Sequence, residues 1–285
     1  MRTGGEGIVD IRGFSFQPLE KPFSVVSLVP SWTETLFYFG LSREEIAGRT
    51  DYCIHPRGRV EGVETVGGPR DPNLERIFEL DPDLIIADRE ENRKEDVEEM
   101  DGHWPASRVF VTGPRSVDEA LGDVARLGRL FHARGRARRL IESVRASMAR
   151  IRGEGRGTVA YVVWQDPWIV AGGETYIGDI IRILGYENVA DRPPISGPGR
   201  ERRGGYPAVT IEDLARLRPD AVFLSTEPFP FRRRHADLLR SLLGGVDAEY
   251  AGKVNIRIVD GEYFSWYGSR MIAAFRYFSR HRASL

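Results

Sequence analysis

Carboxylates, arginines and ring-bearing side chains are the groups in this sequence whose types and spacing could do chemistry. Glu90, Glu91 and Glu227 close two apolar runs and could serve as an acid/base set, which hydrolysis would require with raised pKa values. No nucleophile with its base accompanies them: Gly-x-Ser-x-Gly is absent, and no glycine-rich loop opens a helix to cradle phosphate. These glutamates are therefore expected to cap helices or order loops through backbone N–H groups, and catalysis is not expected. Cys53 and His55 are soft donors one residue apart, but a protein metal site takes three or four ligands and the chain has no second cysteine. His103, His132, His235 and His281 are scattered. Neither a bare metal ion nor a resident cofactor is expected; His55 is the candidate for an axial contact to a metal already held in a macrocycle.

Rings gather where the chain turns after apolar runs: Trp32, Tyr52, Trp164, Trp168, Tyr176, Phe229, Phe231, Phe264, Trp266 and Tyr267. Flat π faces suit a large planar or macrocyclic ligand, each well-placed stack adding about 0.5–1.5 kcal/mol beyond area burial. Core packing is the competing use. Trp164 is balanced between the two, whereas Trp168, Trp266 and Tyr267 follow strands beside Pro or Gly and favour the ligand. Arg70, Arg93 and Arg270 could receive an anionic group by forked hydrogen bonds, or pair with structural carboxylates such as Asp71 and Glu91. Arg270, in the run Trp-Tyr-Gly-Ser-Arg, adds Ser269 and the start of a helix as anion-friendly donors. The arginines at 232–234 and the loop 200–203 read as solvated surface, since no nucleic-acid motif accompanies them.

A repeat must position these groups. Residues 73–92 (NLERIFELDPDLIIADREEN) are echoed 137 positions later at 210–228 (TIEDLARLRPDAVFLSTEP). In each copy a short amphipathic helix ends at Leu-x-Pro-Asp, and an apolar strand follows that closes on Glu. Glu75 pairs with Glu212, Leu80 with Leu217, Pro82 with Pro219, Asp83 with Asp220 and Glu90 with Glu227. The repeat predicts two similarly built α/β lobes, each presenting the loop after a buried strand, which is where open α/β sheets hold ligands. Strands are predicted at 24–29, 46–48, 84–87, 108–112, 159–163 and 256–259, alternating with helices, so the central sheets are expected to be mostly parallel. Ser31 with Glu34, and Ser116 with Glu119, fit capping boxes. Residues 116–152 hold no proline and keep apolar residues at helical spacing; Gly122, Gly128 and Gly135 allow a break. Unbroken, this backbone helix would extend about 55 Å at roughly 1.5 Å per residue. The expected division is an N-terminal α/β lobe over 1–115, the helix over 116–152 and a C-terminal α/β lobe over 153–285. The loop 191–206 is rich in Pro, Gly and Arg.

With 285 residues, 41% hydrophobic and 29% charged, the chain has the composition of a soluble protein with a sizeable core. A net charge of −1 offers no overall field for nucleic acid or anionic membrane, and no apolar run reaches the roughly 18 residues needed to cross a bilayer. The single cysteine excludes an internal disulfide. The opening residues lack an apolar core of signal-peptide length, so a cytoplasmic location is expected of the sequence as written, and an extracytoplasmic one if a leader was removed. A monomer is expected.

The runs SLVPSWTETLFYFG, TDYCIHP, NLERIFELDPDLIIA, GGETYIGDIIRILGYENV and YPAVTIEDLARLRPDAVFL, in this order, resemble the helical-backbone class of ABC-transporter substrate-binding proteins, and within it the vitamin B12-binding subfamily. The resemblance covers residues 24–278. It implies two α/β lobes bridged by one helix, a corrinoid or related metal-chelate as ligand in the interlobe cleft, and an ABC-transporter permease as partner. Trp32, Tyr52, Trp168, Tyr176, Phe229, Trp266 and Tyr267 would then stack on the ligand, and Arg70, Arg93 and Arg270 would orient its polar groups. The family's docking carboxylates, one per lobe, fall on Glu75 and Glu212. Where the family's vitamin B12 binder carries a tryptophan before its NLERI segment, this chain has Pro69. The alternatives are a cytoplasmic binding or sensing module of the same fold without a transporter, and an enzyme using Glu90, Glu91 and Glu227.

Overall fold

Apolar runs of three to five residues hide both faces only inside a covered sheet, and that is where they lie in the computed structural model. It describes residues 7–151, 155–193, 195, 202–203 and 205–281. These fall into two compact units, one drawn from residues 1–114, 118–144 and 267–272 and the other from 115–117, 145–266 and 273–285.

The first unit contains, in order, β1 (Ile8–Val9), β2 (Ser15–Phe16), β3 (Val25–Ser27), α1 (Pro30–Phe39), β4 (Ile46–Arg49), α2 (Leu74–Leu80), β5 (Leu84–Asp88), α3 (Lys94–His103), β6 (Val109–Thr112), α4 (Val117–Leu130) and the start of α5 (Arg134–Ile151). Strands β1 and β2 form an antiparallel hairpin. The main sheet runs β4-β3-β5-β6, with every neighbour parallel. One face packs a core of Val26, Ile85, Val109, Ile77, Val97 and Met100. Helix α1 is capped two residues earlier than the expected box, at Val29 rather than Ser31: Pro30 occupies the first turn, where its fixed φ suits a helix start, and Ser31 lies buried inside the helix. Gly40 ends it at φ 90°, as its place in the sequence predicts.

The helical pattern over 116–152 is realised as two helices rather than one, which corrects the single backbone helix. The break falls at 131–133, not at a glycine. His132 adopts a left-handed φ of 54°, Ala133 N–H donates to Gly128 C=O (2.8 Å) and His132 N–H to Arg129 C=O (3.4 Å), the hydrogen-bond pair of a Schellman stop. Gly128 contributes to the packing instead. A Cβ there would come within 2.4 Å of Ala137 Cβ, so its missing side chain makes room for the first turn of α5 beside the end of α4. Arg152 and Gly153, expected at the end of this helix, lie outside the described residues.

The second unit contains β7 (Thr158–Trp164), β8 (Trp168–Val170), α6 (Tyr176–Ile183), β9 (Glu187–Asn188), β10 (Arg202–Arg203), β11 (Tyr206–Val209), α7 (Ile211–Leu217), β12 (Ala221–Ser225), α8 (Arg233–Val246), α9 (Ala248–Lys253), β13 (Asn255–Val259), α10 (Gly261–Ser265) and most of α11 (Arg270–Arg280). Its sheet runs β10-β11-β8-β7-β12-β13, with β9 beside β7. Strands β7, β12 and β13 are parallel, and β8, β11 and β10 extend the sheet as an antiparallel flank. Of the loop 191–206, residues 194, 196–201 and 204 lie outside the described residues, Arg200 and Glu201 among them.

The echo in the sequence is an echo in structure. Helices α2 and α7 are seven residues each, capped by the side chains of Asn73 and Thr210 and closed by left-handed residues, Asp81 (φ 43°) and Arg218 (φ 47°). The Asp after each Pro then anchors the neighbouring strand. Asp83 Oδ2 accepts from Ser24 N–H (2.8 Å), and Asp220 Oδ2 accepts from the Thr158 N–H (2.7 Å) and hydroxyl (2.8 Å). These bonds hold the Asp220 carboxyl below its usual range.

Candidate ligand-binding site

In each unit the carboxyl ends of the parallel strands carry the candidate groups. On the first unit, Tyr52 follows β4 and is 66% exposed, with its ring edge beside Gly68. Arg70, also exposed, donates through Nη2 to the Glu90 carbonyl after β5. Asn92 Nδ2 donates to Pro69 C=O (2.9 Å) while its Oδ1 accepts from Asp88 N–H (2.7 Å), so the loop that holds Pro69 is tied to the end of β5. Arg93 is exposed just before α3, 3.8 Å from Glu95 and 3.9 Å from Asp96. His55 is half-buried beside a cis peptide bond to Pro56.

Behind that rim lies a buried polar chain. Trp32 Nε1 donates to Thr112 Oγ1 (2.8 Å), Thr112 Oγ1 donates to Asp88 Oδ2 (2.8 Å), and the Tyr267 hydroxyl donates to the same oxygen (2.7 Å). Asp88 Oδ1 accepts from Glu90 N–H (2.8 Å), which fixes the loop after β5. The Trp32 and Tyr267 rings meet at 4.9 Å. Tyr267 opens a short segment held on the first unit by three further contacts. Gly268 backs onto Thr35 and Trp32 where a Cβ would clash, Ser269 N–H donates to Thr35 Oγ1 (2.9 Å), and Arg270 Nε donates to Glu34 Oε2 (3.0 Å). Burial and then the Asp88 charge push the Tyr267 phenol well above its usual value. Asp123 on α4, also buried, is pushed up to about 7 by desolvation although Arg126 lies 2.6 Å away.

On the second unit, Trp164 ends β7 and is 40% exposed; its ring meets Phe229 edge-on at 5.5 Å. Phe229 leans on Phe231 (4.7 Å), which stacks on Trp168 (6.0 Å, 13° between planes). Trp168 and Phe231 are buried, so only Trp164 and the half-buried Phe229 offer this aromatic cluster to solvent. Beside it, Glu227 follows β12 and accepts a hydrogen bond from Ser265 Oγ (2.5 Å). Desolvation, reinforced by Glu262 and Asp260, raises its carboxyl to about 7 against the lowering effect of Ser265 and Trp266. Gly261 makes this packing attainable, since a Cβ there would lie 2.4 Å from Glu227 Cγ and 2.5 Å from Ser225 Oγ.

The aromatic candidates thus divide by exposure. Trp32, Trp168, Tyr176, Phe231, Phe264, Trp266 and Tyr267 are buried, whereas Tyr52, Trp164 and Phe229 reach the surface. Glu75 and Glu212 lie in the first turns of α2 and α7, at equivalent points of the two units. Cys53 is buried, receives the Thr33 hydroxyl (3.0 Å) and has its thiol pKa raised by desolvation, which makes it a packing residue. Among the described residues no three His, Cys, Asp or Glu side chains gather as a metal site. The sequence reading missed the Asp88–Thr112–Trp32–Tyr267 chain and the Ser265–Glu227 contact. Its one available signal was a polar residue, Asp88 or Thr112, closing an otherwise apolar strand.

Two α/β units with equivalent helix-strand repeats thus present rings and cations at their strand ends. Residues 25–237 match the periplasmic binding protein family, and the chain belongs to that family. It is similar to the vitamin B12-binding protein of Photorhabdus laumondii subsp. laumondii, 24% identical over 230 residues, covering 78% of this chain and 79% of that one. Among solved structures it resembles the periplasmic heme-binding protein RhuT from Roseiflexus sp. RS-1, with a TM-score of 0.72 at 21% identity over 91% of this chain and 97% of that one. It also resembles the periplasmic vitamin B12-binding protein BtuF of Vibrio cholerae, with a TM-score of 0.67 at 18% identity over 92% and 98%. At this coarse level the chain is the substrate-binding component of an ABC importer.

Proposed function

We propose that this protein captures a planar metal-chelate macrocycle, a corrinoid before all others, and delivers it to an ABC-transporter permease. The observation that carries the reading is the exposure of Tyr52 and Trp164, with the half-buried Phe229 beside Trp164, past the carboxyl ends of β4, β7 and β12, where α/β sheets receive ligands. Exposed rings cost solvation, and rings left open to solvent at strand ends suit a flat, partly apolar ligand. The vitamin B12-binding relatives, which span most of the chain, support a corrinoid; the heme-binding neighbours make a porphyrin the second reading. Arg70 and Arg93 would meet polar groups at the ligand's edge. Trp168 and Trp266 are buried, so truncating them would unsettle the fold before it reported on binding.

The test is calorimetric titration of the purified protein with cyanocobalamin, cobinamide and haem. One-to-one binding of the corrinoids at micromolar strength or better is expected, and replacing both Tyr52 and Trp164 with alanine should weaken it about tenfold or more at unchanged stability. Haem binding with no corrinoid heat would replace the leading reading by the second. An importer's receptor works outside the cytoplasmic membrane, and no described helix is long and apolar enough to cross one. Recovery of the protein solely from the cytoplasmic fraction would favour a sensing module of the same fold.

A further inference from the structure

We infer that the exposed face of α5 is a docking surface for an anionic phospholipid bilayer. Eighteen residues of this helix carry six arginines, at 134, 136, 138, 139, 145 and 150, against a single acidic residue, Glu142. All six are exposed. The chain as a whole has a net charge of −1, so this helix is a concentrated positive patch on an otherwise acidic protein.

Helix stability does not account for the pattern. Arg134 and Arg136 stand in the first turn, where the macrodipole disfavours cations, and the first turn holds no acidic residue. Arg134 and Arg138 are four apart, a like-charge spacing that works against a helix. Nor are the charges absorbed by ion pairs. Glu142 lies 3.8 Å from Arg138, and Arg136 Nη1 donates to Tyr38 C=O at 3.4 Å. Arg134, Arg139, Arg145 and Arg150 form no ion pair with a described residue.

The layout fits a broad surface better than a small anion. At roughly 100° per residue, Arg134, Arg138 and Arg145 line one edge of the exposed face and Arg136, Arg139 and Arg150 the other. Between the rows lie Gly135, Ala146 and Ala149, side chains too short to hold a plane away, and Glu142, whose carboxylate stands 3.8 Å from Arg138 and leaves the face with a surplus of five positive charges. A phosphate layer meets both rows at once. A guanidinium receives phosphate oxygens in a forked arrangement, and a polybasic helix gathers attraction from several lipids. An importer's receptor works beside such a layer, and the docking carboxylates Glu75 and Glu212 are on other helices, so the two contacts can be altered separately.

The experiment is co-sedimentation of the full chain with vesicles of phosphatidylcholine, either alone or mixed with phosphatidylglycerol. Binding to the mixed vesicles alone is expected, weakening steeply from about 0.1 M to about 1 M salt as the Debye length falls from roughly 10 Å to 3 Å. Each arginine near an anionic surface contributes about fivefold in partitioning. The combined change Arg134→Gln, Arg138→Gln, Arg139→Gln and Arg145→Gln should therefore weaken binding by at least about tenfold, with unchanged circular dichroism and melting. Arg233→Gln with Arg234→Gln on α8 serves as the control for charge lost elsewhere and should bind as wild type does. Equal sedimentation with both vesicle types, none with either, or a quadruple variant that binds like wild type would overturn the inference. Retention on an immobilised soluble polyanion without vesicle binding would overturn the lipid assignment.

Discussion

Glu227 shows how burial sets the behaviour of one residue. Its carboxyl titrates near 7, above its ordinary 4.5, because desolvation outweighs the Ser265 and Trp266 hydrogen bonds. A carboxyl with a raised folded value binds more protons folded than unfolded, so its contribution to stability is complete below about 4.5 and is lost as pH rises through about 7. Glu227→Gln keeps an acceptor for Ser265 and removes the ionisation. Urea unfolding should find the variant close to wild type at pH 4.5 and more stable at pH 8, by on the order of 1–3 kcal/mol. A difference of the same size at both pH values would mean that Glu227 is not the titrating group. Asp123 adds a similar decline over the same window through its own burial, so wild type keeps some of its slope in the variant. Little of this was legible in the sequence. The run Ser-Thr-Glu-Pro names the carboxylate, but its environment comes from Asp260, Glu262 and Ser265, more than thirty positions on. Exposure of the rings was equally hidden: Trp164 and Trp168 are four residues apart in one segment, yet one faces solvent and the other stacks inside.

At the scale of elements, strands and short helices were readable and the long helix was not. Predicted strands at 46–48, 84–87 and 256–259 became β4, β5 and β13, because apolar runs bounded by Gly, Pro or Asp leave few other choices. The antiparallel flank escaped notice, since β8 and β11 are three and four residues long and carry no periodicity of their own. The helix break escaped because a histidine, not a glycine, takes the left-handed position. Its geometry makes an opposed pair of effects measurable at Gly128. Alanine in mid-helix is normally worth about 1 kcal/mol over glycine. Here the added Cβ would meet Ala137 Cβ at 2.4 Å, and overpacking of that kind costs about 1–3 kcal/mol. Gly128→Ala should therefore lower the melting temperature, and adding Ala137→Gly should return part of the loss. A Gly128→Ala variant that melts higher would show that Gly128 and Ala137 do not lie as close together as the structure has them.

For the molecule as a whole, the repeat was the most informative thing in the sequence, because it constrains both units at once. Capping residues, left-handed stops, strand-anchoring aspartates and first-turn glutamates all recur at matched positions, from Asn73 and Thr210 to Glu90 and Glu227. Capping and anchoring account for Asn73, Thr210, Asp83 and Asp220. They do not account for Glu75 and Glu212, each a carboxylate at the second position of a seven-residue helix. A favourable macrodipole would be served equally by Asp or Glu anywhere in the first turn, at about 0.3–1 kcal/mol. We propose that their equivalent placement serves a two-point contact with a permease, in which two modest ion pairs made together gain from effective concentration. Reversing one charge, Glu75→Arg or Glu212→Arg, should reduce ligand uptake in cells that hold the permease, and reversing both should abolish it. Ligand affinity measured on the isolated protein should stay within about twofold of wild type, since neither residue lies at a strand end. Normal uptake by the double variant would show that the repeat preserves these glutamates for the helices alone.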